Sequence, residues 1–336
     1  PVRNKNGCVW RYEPRTHRVE RYIPYNFANP HGHVFDRWGQ DFVTDGTGNQ
    51  NYYALPFSGY LPEPDKHRGY FTFFPQRSRP AGGTEILSST HFPEENQGNY
   101  LIANVIGFRG IFQYRVTEDG SGFGAEELDP IVQSSDLNFR PVDIEMGPDG
   151  AIYFLDWHNA LIGHLQHHLR DPSRDDQHGR VYRVTYEGRD LSQQAVIAGQ
   201  PITELLELLR SSEDRVRHRV RAELSARDSD EVPRAARAWA DALDPAGADF
   251  EHHRLEALWL HQQHERVDLE LLDLVLASSD PRARAAATRV LRYQRRGIPD
   301  ALDRLERSAR DENPRVRLEA VIAASHFEEA RAASVA

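Results

Sequence analysis

One cysteine, Cys8, stands in 336 residues, which excludes an intrachain disulfide, a cysteine-rich zinc site and a CxxCH haem attachment motif. No run approaches the roughly 20 apolar residues that a membrane-spanning helix needs. There is no GxGxxG after a strand, no GxxxxGK[ST] and no GxSxG, so dinucleotide-binding, P-loop and α/β-hydrolase readings have no support. Basic charge is in deficit, 41 Lys+Arg against 51 Asp+Glu for a net charge of −10, which argues against nucleic acid as a partner. The chain opens on Pro1-Val2-Arg3-Asn4-Lys5, without an initiator Met or an apolar targeting run, so any targeting signal is expected to have been removed or never included.

What is present is the composition of a folded globular protein, 39% hydrophobic, 10% aromatic and 27% charged, at a length that predicts two domains. Aromatic, Gly and Pro residues concentrate before residue 190, and Ala, Leu, Arg and Glu after it. The shift predicts an all-β part over 1–190, a linker over 191–200 and an all-α part over 201–336.

The first part carries an internal repeat. Val34–Asp45 lies over Glu145–Asp156, each reading strand, tight Gly turn, strand, Asp. A weaker copy runs from Gly98 to Asn104, where Asn replaces the final Asp. Outer strands are predicted at Gly110–Val116, Gly179–Val184 and Gly7–Tyr12. This is the pattern of propeller blades of about 40–50 residues, and residues 1–188 would hold about three blades and part of another, whereas a closed propeller needs at least four. The expected fold is therefore a partial β-propeller, either with N-terminal blades that lie outside these residues or with an open sheet stack.

The second part predicts paired helices. Glu213, Asp280 and Asn313 stand where helices open, and Pro281 and Pro314 occupy first turns; the segment from Glu251 is a degenerate fourth. Their spacing of about 30–37 residues suits a HEAT-like α-solenoid, whose units bury apolar faces only against neighbours. Ala285, Ala286, Ala287, Ala320, Ala323 and Ala324 let such helices approach closely. The basic residues here, Arg282, Arg284 and Arg289 among them, are interleaved with acids and predict solvated helix faces.

Two stretches hold more polar side chains than strands and turns require, Asn29–Asn49 and Phe139–Arg180. His31 and His33 flank a Gly that admits close backbone approach, and an imidazole can accept a proton near neutral pH, as abstraction from a sugar alcohol requires; the alternative is hydrogen bonding between blades. Asp45 and Asp156 occupy equivalent repeat positions, where an Asp commonly caps a turn. Asp156-Trp157-His158 sets an aromatic beside a carboxylate and an imidazole, a combination suited to sugar stacking with hydrogen bonding. Arg140 and Asp143 stand at a blade start. His164 and His168, four apart, would share a helical face, yet no Glu follows His164, so the HExxH zinc pattern is absent. The segment from Arg170 to His178 predicts a packed loop with internal ion pairs, and its spacing matches no EF-hand.

Asn29–Gly39, Gly83–Ser89, Asn104–Phe108, Arg140–Asp143, Ile162–His164 and Leu169–Asp175 resemble the membrane-bound dehydrogenase family of planctomycetes and related bacteria. That resemblance implies a sugar-dehydrogenase-like propeller, HEAT repeats, commonly a C-terminal cytochrome c domain, and a periplasmic or extracytoplasmic location. More distantly the first part is similar to glucose and sorbosone dehydrogenases that use pyrroloquinoline quinone. The similarity implies a quinone- and Ca²⁺-dependent oxidoreductase of a sugar or alcohol, with His31 as base, although Gly32-His33 replaces the two-Gly segment that follows the His in those enzymes. It further implies Arg140 beside the quinone, and Asp143, Trp157 and His158 along the pocket. The alternative is a non-catalytic scaffold, its propeller mouth holding a carbohydrate or protein and its solenoid a protein partner. No haem site is expected within these residues.

Overall fold

The computed structural model describes residues 3–4, 6–14, 16–53, 72–74, 77–78, 81–162, 171–175 and 177–335. The chain divides into two compact units, residues 1–36 with 40–193, and residues 37–39 with 194–336.

The first unit is built of antiparallel sheets in chain order. β1 (Gly7–Glu13) pairs with β2 (Arg18–Phe27). A second sheet joins β3 (Pro30–Phe35), β4 (Asp41–Asp45) and β5 (Gln50–Tyr53). A third joins β6 (Ala81–Ile86), β7 (Tyr100–Asn104), β8 (Gly110–Asp119) and β9 (Gly122–Gln133), and a fourth β10 (Pro141–Met146), β11 (Ile152–Asp156) and β12 (Arg180–Val184). The predicted hairpins lie at β3–β4 and β10–β11, and the weaker third copy supplies β7. Among the described residues the sheets close no barrel or propeller.

Alternation along the strands explains how the sheets stack. In β7 every residue is buried: Tyr100 and Ile102 face Phe42, Phe73 and Phe112, whereas Leu101 and Ala103 face Ile144, Ile152 and Phe154. A strand that is apolar on both faces must lie inside a stack, since period-2 alternation gives each face its own neighbour. β4 behaves likewise, with Phe42 in one core and Val43 in the next, beside Ile23, Tyr25 and Phe27. The first strands approach one another closely, β3 against β6 and β6 against β10. A Cβ on Gly32 would stand 2.3 Å from Thr84 Oγ1, and one on Gly82 would stand 2.8 Å from the Val142 carbonyl oxygen. Glycine at both positions is what lets these backbones meet.

The second unit contains α1 (Ile202–Leu208), α2 (Asp214–Ser225), α3 (Glu231–Asp241), α4 (Phe250–Gln263), α5 (Leu269–Leu276), α6 (Pro281–Gln294), α7 (Ala301–Ser308) and α8 (Pro314–Ala324). Asp280 Oδ1 accepts from the Arg282 amide and Asn313 Oδ1 from the Arg315 amide, each at 2.8 Å and each with Pro in the first turn; such a cap stabilises a helix by about 1 kcal/mol. Glu213 precedes α2 without a side-chain cap. The helices α2, α4, α6 and α8 pack successively, and Ala283, Ala286, Ala287, Ala320, Ala323 and Ala324 are all buried. Buried ion pairs link neighbouring helices: Arg217 and Arg221 of α2 reach Glu256 of α4 at 3.2 and 2.7 Å. Arg289 of α6 reaches Glu319 of α8 at 2.6 Å. A buried carboxylate costs heavily unless paired in this way.

Arg37–Gly39 belongs to this second unit, although the sequence places it within the β repeat. His252 Nε2 donates to the Arg37 carbonyl at 2.8 Å, and Arg37 Nη2 donates to Asp249 Oδ1 at 2.8 Å. The Trp38 ring meets His252 edge-on at 5.0 Å, with the Arg282 guanidinium 4.5 Å over its face.

Candidate functional site

The second strands of three sheets end in Asp45, Asn104 and Asp156, and each of these side chains ties its strand end to neighbouring backbone. Asp45 Oδ2 accepts from the Ala28 and Asn29 amides at 2.6 and 3.0 Å, and Oδ1 from the Thr47 amide at 3.0 Å. Asp156 Oδ1 accepts from the Arg140 amide at 2.7 Å and the His158 amide at 2.8 Å. Asn104, which can donate as well as accept, takes the Phe108 amide at 2.9 Å and gives to the Ser78 carbonyl at 2.8 Å. The equivalence seen in the repeat is thus an equivalence of capping geometry.

These caps lie on one hydrogen-bonded rim. Asn49 Nδ2 donates to the same Ser78 carbonyl at 2.7 Å. Arg140, 7% exposed, sends Nη1 to the Val105 carbonyl at 2.8 Å, Nε to Asn159 at 2.9 Å and Nη2 to Ala160 at 3.3 Å. Burial lowers the Arg140 pKa, as does the nearby Arg109 cation, while Asp136 and Asp156 oppose the shift. The guanidinium nonetheless stays charged, and three of its five N–H donors go to backbone carbonyls.

The other residues singled out in the sequence fall into three groups. His31 and His33 are exposed on β3, either side of buried Gly32. His33 Nε2 lies 3.3 Å from Asp41 Oδ2, and His31 makes no hydrogen bond among the described residues. Asp143 is exposed on β10 opposite Leu155, its Oδ1 accepting from the Ile144 amide at 3.0 Å. Trp157 is exposed, and His158 follows it in a left-handed conformation, φ 46°. His178 is exposed, with Nδ1 3.0 Å from Asp175 Oδ1. In the same loop Asp171 Oδ1 accepts from the Ser173 amide at 2.9 Å. His164, His168 and Arg170 lie outside the described residues.

Arg140, Asp156 and His158 therefore come together at the end of β11, whereas His31 and Asp45 stand at the corresponding end of β4. Among the described residues no hydrogen bond or ion pair joins the two groups directly. Sequence reasoning missed Asp136, whose Oδ2 lies 4.0 Å from His158 Nδ1. Its turn left a signal in Asp136-Leu137-Asn138, where Oδ1 accepts from the Asn138 amide at 2.8 Å, an Asx turn. Among the described residues no group of three or more His, Cys, Asp or Glu side chains is placed to hold a metal ion, and no helix is long and apolar enough to cross a membrane.

Two family models match parts of the chain. One, described as a domain of unknown function (DUF7133), covers residues 66–188, and the other, HEAT repeats, covers residues 269–336. Neither description names a dehydrogenase. No curated protein and no solved structure gives a significant match. Residues 269–336 of the helical unit thus match HEAT repeats, and residues 66–188 of the sheet unit match a domain of unknown function.

Proposed function

We propose that the sheet unit is an arc of a β-propeller, akin to glucose and sorbosone dehydrogenases, whose rim binds a sugar or other alcohol, and that the HEAT repeats offer a surface to a protein partner. Three features support the propeller reading: sheets stacked in chain order, first strands β3, β6 and β10 set against one another, and second strands capped alike at one edge. In such an arrangement the loops after the inner hairpins converge on one mouth. The binding function is carried by one observation. Above a base fixed by Asp45, Asn104 and Asp156, polar and aromatic side chains remain exposed, His31, Asp136, Trp157 and Arg180 among them. HEAT repeats commonly mediate protein interactions, and their successive packing leaves long faces for a partner.

Three of the five Arg140 N–H donors already serve backbone carbonyls, which leaves one on each terminal nitrogen for an acceptor such as a quinone oxygen. Among the described residues no three or more His, Cys, Asp or Glu side chains gather to hold a metal ion, although Ca²⁺ also takes carbonyl oxygens. Binding is the reading the geometry supports best. Oxidation is a second reading, favoured by His31, an exposed imidazole at the rim that would take the hydroxyl proton. An extracytoplasmic location and a cytochrome c domain as electron acceptor belong to that second reading.

Both readings are tested by titrating the chain with sugars and alcohols, then supplying pyrroloquinoline quinone, Ca²⁺ and a reducible dye. Binding with dye reduction that falls at least a hundredfold in H31A establishes the oxidoreductase. Binding without dye reduction leaves the receptor, and no binding overturns both.

A further inference from the structure

At the end of β11 a buried carboxylate oxygen and a buried ring nitrogen face each other without a hydrogen bond. Asp156 is 2% exposed, and while its Oδ1 serves two amides, its Oδ2 has no hydrogen-bond partner; nor has His158 Nδ1. The two atoms are 3.8 Å apart. Arg180 Nη1 stands 3.6 Å from the same Oδ2, and Asp136 Oδ2 stands 4.0 Å from the same Nδ1. All three separations are too long for a direct hydrogen bond, yet short enough for one inserted atom. An oxygen about 2.8 Å from each end closes a triangle on the 3.8 Å base.

Buried polar atoms are rarely left unsatisfied, and His158 is held in a backbone conformation that non-glycine residues seldom adopt. Strain of that kind clusters where a side chain must be aimed. With the ring proton on Nδ1, the inserted group donates to the carboxylate and accepts from the imidazole N–H, which a hydroxyl does with one hydrogen and one lone pair. Beside it, Arg180 supplies donors and Asp136 an acceptor, both partly open to solvent, so a second hydroxyl next to the first would also find partners. Trp157, exposed between Asp156 and His158 in the chain, is the kind of side chain on which a sugar ring stacks.

We infer that Asp156, His158, Arg180 and Asp136 form a subsite for adjacent hydroxyl groups of a sugar or sugar alcohol, one hydroxyl bridging Asp156 Oδ2 and His158 Nδ1. This rests on the rim-binding reading and names the part of the rim that does the binding. Asp156 is a positioning residue as well as a ligand contact, because its other oxygen fixes the amides of Arg140 and His158.

The test is ligand-observed NMR on the whole chain without quinone, using D-glucose, D-sorbitol and myo-inositol as probes. His158→Gly suits the left-handed backbone and removes the imidazole, whereas Arg180→Met removes the guanidinium donors without touching the caps. Saturable binding to the wild type, weakened at least tenfold in both variants with unchanged melting temperatures, is the expected result. Wild-type binding that persists in both variants overturns the subsite while leaving the rim reading intact. Absence of binding to the wild type, with only a water bridging Asp156 and His158 in a crystal soaked with the probes, overturns both.

Discussion

Arg140 Nη1 donates to the Val105 carbonyl 2.8 Å away, so a side chain at the entry to one sheet holds the loop that leaves another. Replacing it removes the donor that serves three backbone carbonyls. Arg140→Ala is expected to destabilise the sheet unit by about 3 kcal/mol, and Arg140→Lys by about half of that, since a lysine keeps the charge but cannot reach three acceptors in different directions. Urea denaturation followed by tryptophan fluorescence measures both. A loss under about 0.5 kcal/mol, as for an ordinary surface substitution, would show that the three bonds contribute little.

Gly32 and Thr84 define the approach of β3 to β6. Gly32→Ala places a methyl group 2.3 Å from Thr84 Oγ1 and should cost about 2 kcal/mol, in the range of overpacked cores. Adding Thr84→Ala should recover part of that loss, giving a coupling of about 1 kcal/mol in a double-mutant cycle. Additive single-mutant effects would mean that the strain is relieved elsewhere.

In the helical unit, burial pushes the His252 pKa down to about 2, with the Arg37 and Arg217 cations adding to the shift. The unfolded histidine gains its proton near pH 6.5, so unfolding takes up a proton below that point. Stability is full above about pH 6.5 and declines as the pH falls toward the folded value. His252→Gln, which can still donate to the Arg37 carbonyl, should flatten the decline between pH 6.5 and 4.5 by up to about 1.4 kcal/mol per pH unit. His218, His253 and His261, also lowered chiefly by burial, keep some slope in the variant. Chemical denaturation at several pH values would read an identical slope in both proteins if His252 were solvated.

Glu319 acts in a lower window. Burial alone would raise its pKa, but the Arg289 and Arg315 cations and the Arg289 hydrogen bond outweigh it and hold the carboxyl below the usual range. Its contribution is present above the unfolded pKa of about 4.3 and is lost as the pH falls through the folded value. Glu319→Gln should cost about 3 kcal/mol at pH 7 and much less at pH 3, which thermal melts at the two pH values would show. An equal cost at both would assign the effect to packing alone.

The sheets were legible where alternation and a glycine turn coincided, at β3–β4 and β10–β11. They were illegible where proline and charge broke the pattern: β2 contains Pro24, and β9 contains Pro130 beside Glu126, Glu127 and Asp129. Both strands tolerate proline because among the described residues each has an edge without a partner strand. The helix starts at Asp280 and Asn313 were readable because capping is local, within three residues. The commitment of Arg140 was not, because its acceptors are Val105, Asn159 and Ala160, and only the fold brings them to one guanidinium. Asp45 and Asp156 were readable as equivalent positions, but the unsatisfied Oδ2 of Asp156 emerges only from its surroundings.

β7, apolar on both faces and paired on both edges with β6 and β8, has no route by which water reaches its backbone while the sheets remain stacked. Its amides should therefore exchange with deuterium only through global opening of the unit, whereas the β12 amides should exchange through local fraying. The protection of Tyr100–Asn104 then reports the stability of the whole sheet unit from five residues.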